Sequence, residues 1–149
     1  MTATGAGRKW EGAELTTARA RRLMGDQHRE LRRHLAAGIV AVERQPTAGE
    51  RLRALLGTLR DAFAKHQSDE EALVMPILER DLPVGPLRAS QLREEHARQC
   101  AQLEALCARE QETDDADLAR RFDRLSRTLL HDIAHEERLL LVDRRPGQA

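Results

Sequence analysis

From about Thr16 to Arg44, apolar residues recur at Met24, Leu31, Leu35, Ile39 and Val42, the three- and four-residue spacing of a helix that buries one face. Gln45-Pro46-Thr47 ends that run, and Thr47-Ala48-Gly49-Glu50 has the spacing of a capping box that opens a second helix. The second stripe is the clearest in the chain: Leu52, Leu55, Leu56, Leu59, Phe63, His66, Glu70, Leu73 and Ile77. Pro76 kinks or ends its last turns, and Asp81-Leu82-Pro83-Val84-Gly85-Pro86 reads as a loop. A third helix runs from Pro86 or Leu87 to about Glu110 on a face of Leu92, His96, Cys100, Leu103 and Leu106. Glu112-Thr113-Asp114-Asp115 is a polar turn rich in N-cap residues, and a fourth helix extends from it to about Asp143, stopped by Arg145-Pro146-Gly147. Leu118, Phe122, Leu125 and Leu129 form its apolar face.

Four helices joined by short loops predict an all-α fold, an antiparallel up-down-up-down four-helix bundle. It would occupy residues 16–143, with 1–15 a loose arm docked by Trp10 and 144–149 a short tail.

Certain polar residues sit where apolar ones are expected. His28 lies on the first stripe, whereas His34 does not; His66 and Glu70 replace core positions on the second; His96 lies within the third. Continuing the fourth stripe past Leu129 brings Asp132 and Glu136 inward, with His131 and His135 toward one edge. Burying such groups needs compensation. A bound metal ion supplies it, because residues at i and i+4 project from adjacent turns and can reach one ion. Imidazole with carboxylate suits iron first, with zinc or manganese as alternatives, whereas calcium and magnesium favour oxygen donors alone.

Composition and charge remove other classes. With 25 basic and 25 acidic residues interspersed, the 149-residue chain has a formal net charge of zero and lacks the electrostatic footprint of nucleic-acid or anionic-membrane binding. No stretch approaches the ~18 apolar residues of a membrane span. Met1-Thr-Ala-Thr-Gly-Ala-Gly7 lacks the apolar core of a secretory leader, so the cytoplasm is the expected location. Cys100 and Cys107 stand seven apart on one helix, about 10 Å along its axis, too far to bridge.

Residues 18 to 142 resemble the hemerythrin-like proteins, the HHE cation-binding domain. The likeness rests on His28 in Asp26-Gln-His-Arg-Glu-Leu31, on His66-x-x-x-Glu70-Glu71 with Pro76 after it, on His96 in Arg93-Glu-Glu-His-Ala97, and on His131-Asp-Ile-Ala-His135-Glu136-Glu137. It implies a bundle with a non-haem, typically di-iron centre, in which His28 and His66 are terminal ligands, Glu70 bridges and His96 comes from the third helix. On the fourth helix the family offers two patterns. One gives His131 with Glu136, leaving His135 to ligate or hydrogen-bond beside them; the other pairs Glu136 with position 132, which here is Asp132. The chain departs from oxygen-carrying members at Cys100, where they resemble His-x-x-x-His.

Three functions follow as expectations. One is a di-iron protein binding or sensing dioxygen or a related small ligand, and another is an enzyme handling peroxide, nitric oxide or stored iron on the same scaffold. The third is a metal-free structural or regulatory bundle. A di-iron oxygenase of the ferritin-like type would need Glu-x-x-His pairs; Asp132-x-x-His135 is the nearest approach, which argues for reversible binding. The sequence names no protein partner.

Overall fold

Helical spacing of leucines and the scarcity of breakers produce five helices among the described residues: α1 (Ala6–Arg44), α2 (Gly49–Leu73), a short α3 (Met75–Asp81), α4 (Gly85–Ala108) and α5 (Asp115–Glu136). The structure, a computed structural model, describes residues 6–44, 49–81, 83–108 and 112–138, with side chains described from Thr17 on. Among the described residues there is no strand. The four long helices pack into a helical bundle: α1 lies against α2 and α5, α4 lies against α2 and α5, and α3 packs on α2 and α4. No helix among the described residues is long and apolar enough to cross a membrane.

Two boundaries differ from the pattern-based expectation. The arm expected over residues 1–15 is helical from Ala6 on, because Ala6–Leu15 contains no proline and its Ala, Arg, Lys, Glu and Leu outweigh two glycines. The expected docking of Trp10 lies outside the described side chains, as do the Thr47 cap, the C-terminal extension to Asp143 and the 144–149 tail.

The second difference lies at Pro76. Val74 N–H still donates to the Glu70 carbonyl at 2.8 Å, but proline brings no N–H, so the ladder breaks and restarts as α3, where Leu78 N–H reaches the Val74 carbonyl at 3.0 Å. The break shifts the phase of the stripe. Val74, Met75 and Leu78 take the inner positions, while Leu73 is exposed and Ile77 half-buried. The return into α4 is tight, and Gly85 packs its α-carbon against the backbone carbonyl of Leu78, where a Cβ would collide. At the other end of the molecule Asp114 caps α5, its carboxylate accepting from Asp117 N–H at 2.9 Å.

The core divides in two. One cluster runs through Leu31, Leu35, Leu52, Leu56, Leu59, Phe63, Leu103, Leu118, Phe122, Leu129 and Ile133. A smaller one gathers Met24, Val74, Met75, Leu78 and Ala89. Apart from Ser126, the buried polar residues of the long helices fall where one cluster gives way to the other or at its end: Gln27 and His28 between Met24 and Leu31, His66 to Glu70 between Phe63 and Val74, His96 and Gln99 between Ala89 and Leu103, Glu136 beyond Ile133. The fold thus holds a polar layer against apolar side chains above and below.

Candidate metal centre

Each long helix contributes to that layer. His28 comes from α1, His66 and Glu70 from consecutive turns of α2, His96 from α4 and Glu136 from the last turn of α5. Their exposures run from 0% to 4%. All three imidazoles aim Nε2 at the two carboxylates. His28 Nε2 lies 3.4 Å from Glu136 Oε2; His66 Nε2 lies 3.5 Å from Glu70 Oε2 and 3.8 Å from Glu136 Oε2; His96 Nε2 lies 3.0 Å from Glu70 Oε2 and 3.5 Å from Glu136 Oε1.

These are charge contacts rather than aligned hydrogen bonds. Nε2 of His28 and of His96, both oxygens of Glu70 and Oε2 of Glu136 are buried with no hydrogen-bond partner among the described residues. Polar atoms so placed cost free energy unless something else satisfies them. Among the described residues, two groups have donor atoms all within 4.8 Å of one another: His28, His66 and Glu136, and Glu70, His96 and Glu136. Donors bonded to one ion at about 2.1 Å stand roughly 3–4 Å apart, so both groups fit a cation after small shifts. Glu136 belongs to both.

The far side of two imidazoles is tethered. His28 Nδ1 donates to Glu137 Oε1 at 3.2 Å, and Arg32 clamps both oxygens of that carboxylate at 2.6 Å each. His66 Nδ1 donates to Gln27 Oε1 at 3.2 Å; Gln27 in turn donates to Asp69 at 2.6 Å, and Lys65 holds Asp69 from outside at 2.6 Å. His96 is fixed through its backbone, whose carbonyl accepts from Gln67 Nε2 at 3.1 Å.

Protonation follows from this crowding. Burial would lower His96, but Glu136 and Glu70 outweigh it and the imidazole is raised to about 10. Burial likewise opposes the charge on Glu136, yet the three surrounding imidazoles hold its carboxyl well below the usual range. At the edge of the layer Glu95 is pushed up by partial burial and by the acidic groups Asp132 and Glu136.

Of the seven residues singled out from the sequence, the structure gathers His28, His66, Glu70, His96 and Glu136. It places His131 and His135 elsewhere. The His131 side chain is 76% exposed and rests against its neighbour Asp132, and His135 is exposed as well. The physical reason is the phase of α5: Leu125, Leu129, Ile133 and Glu136 fix the inward side, which turns Asp132 toward Gln99, whose amide it accepts at 2.6 Å, and both histidines outward. The carboxylate common to both groups is Glu136, whereas the family likeness gives the bridging role to Glu70. Cys100 is half-buried and belongs to neither group; it donates to Gln67 Oε1, and among the described residues neither it nor Cys107 forms a disulfide.

Sequence reasoning passed over Gln27, Gln67, Gln99, Asp69 and Arg32. The signal was present for three of them, since a glutamine stands beside His28, beside His66 and three residues after His96, each on an otherwise apolar face.

A family model, the hemerythrin HHE cation-binding domain, matches residues 19–142. The chain belongs to this hemerythrin family. Comparison with curated proteins and with solved structures found no match. Membership in a cation-binding family and a buried layer of orphaned nitrogen and oxygen donors agree: this hemerythrin-like bundle carries His/Glu groups that could hold a metal.

Proposed function

We propose that the protein is a cytoplasmic non-haem di-iron protein, an antiparallel up-down-up-down hemerythrin-like bundle that binds or senses dioxygen or a related small ligand. The observation that carries this reading is the pair of donor groups sharing Glu136. One ion would sit with His28, His66 and Glu136, the other with Glu70, His96 and Glu136. Two imidazoles with one carboxylate are a donor set that suits ferrous iron with open positions. Ions bound there would supply coordination positions for a small ligand.

The chain's own part is to orient the donors and to keep water out. Leu31, Phe63, Leu103 and Leu129 are buried on one side of the polar layer and Met24, Val74 and Met75 on the other. An apolar shell of this kind limits solvent access to a metal. Cys100 and Cys107, outside any disulfide among the described residues, accord with a reducing compartment.

The test is the ultraviolet-visible spectrum of iron-loaded protein, recorded without oxygen and then with it. A spectrum that changes on oxygen addition and returns on its removal supports reversible binding; one indifferent to oxygen contradicts it. The two-imidazole, one-carboxylate group also favours a second reading, an enzyme that consumes peroxide or nitric oxide. Steady turnover faster than free iron, abolished by His66→Ala, would put that reading first.

A further inference from the structure

The two donor groups are built differently on their outer side. In the group of His28, His66 and Glu136, both imidazoles are held through Nδ1. A carboxylate can only accept, so the contact from His28 to Glu137 Oε1 at 3.2 Å puts a ring proton on Nδ1 and leaves Nε2, which faces Glu136, as the atom open to a metal ion. Glu137 is itself immobilised by the paired Arg32 contacts at 2.6 Å. His66 is set the same way by Gln27, which Asp69 holds in turn.

The other group lacks this bracing. Nδ1 of His96 and both oxygens of Glu70 have no hydrogen-bond partner among the described residues. Apart from the Gln67 contact to the His96 backbone carbonyl, its donors are oriented by packing and by the mutual charge contacts.

We infer that the two ion sites are unequal, that the site of His28, His66 and Glu136 fills first and more tightly, and that Arg32 and Glu137 are the positioning residues responsible. The inference rests on the dinuclear reading above. Bracing acts on affinity in two ways: the ring is already turned to its bound orientation, and a carboxylate on Nδ1–H makes Nε2 a stronger donor. Arg32 adds a further effect. It neutralises Glu137 and holds it on His28, so that a carboxylate adjacent in sequence to Glu136 braces a ligand instead of competing as one. Such outer partners typically change metal affinity by about 10- to 100-fold.

Titration of metal-free full-length protein with cobalt(II), followed by its visible absorption, tests this. The wild-type chain should take up cobalt in two resolved steps. Glu137→Gln keeps the shape of the side chain and should weaken the first step by about 10- to 100-fold while leaving the second in place. Arg32→Met should weaken the same step, and Arg32→Lys should restore part of it. Glu70→Gln should remove the second step and keep the first, which identifies the sites. Two equal steps, or a Glu137→Gln variant in which both steps weaken alike or neither changes, overturn the inference and leave the metal centre standing. A wild-type chain that takes up one cobalt or none overturns the dinuclear reading itself.

Discussion

His96 concentrates the electrostatics of the centre in one ring. Between two buried carboxylates its imidazole is raised to about 10, so in metal-free protein at neutral pH it carries a proton that a metal ion must displace. Metal affinity should therefore rise with pH up to about 10, and loading at pH 7 should release a proton, measurable by calorimetry in buffers of different ionisation enthalpy. Equal heats in all buffers would contradict this. The same shift governs the stability of the metal-free chain. A group whose folded value is raised contributes stability that is full below its ordinary 6.5 and fades as pH climbs through about 10. Glu136, held low, acts in the opposite window: its contribution is present above its ordinary 4.5 and is lost as pH falls. Denaturation of metal-free protein should thus show a plateau at mildly acidic to neutral pH, declining toward both extremes. At this scale the sequence was readable on α2, where Leu52, Leu56, Leu59 and Phe63 fix the phase of His66 and Glu70. It was ambiguous near Glu136, because the last turn has few apolar neighbours to choose between His131 and Asp132.

The helices carry the donors only if their mutual approach is kept. Gly38 on α1 faces the ring of Phe122 on α5, and a Cβ there would overlap the ring. Phe122 is fully buried and cannot swing away. Gly38→Val should destabilise the fold by about 1–3 kcal/mol through overpacking, read from the midpoint of urea denaturation. A midpoint equal to wild type would show that α1 and α5 are not in contact there. Element existence was legible from periodicity alone, because each long stripe has enough positions to exclude other phases. Junctions were not. Whether Pro76 would kink or end its helix depends on where the freed chain packs, and α3 is stabilised by Met75 and Leu78 against Ala89, a tertiary contact invisible in local sequence. The helical start at Ala6 was missed for the converse reason, since glycines at positions 7 and 12 read as an arm although nothing else there breaks a helix.

The molecule as a whole places a polar, donor-rich layer between two apolar clusters. A chain that leaves these atoms unsatisfied should be less stable without metal than with it. With free iron(II) or zinc(II) a hundredfold above its dissociation constant, binding adds about 2.7 kcal/mol, which for a domain of this size raises Tm by roughly 5–10 °C. Unchanged melting on metal addition would favour a structural bundle instead. Metal content of purified, untagged protein loaded with iron(II) tests the central claim most directly. Two donor groups sharing Glu136 predict one ion per group in the wild type, loss of both in Glu136→Ala, and full retention in His131→Ala and His135→Ala. Full iron in Glu136→Ala, or iron lost in His131→Ala, would contradict the account.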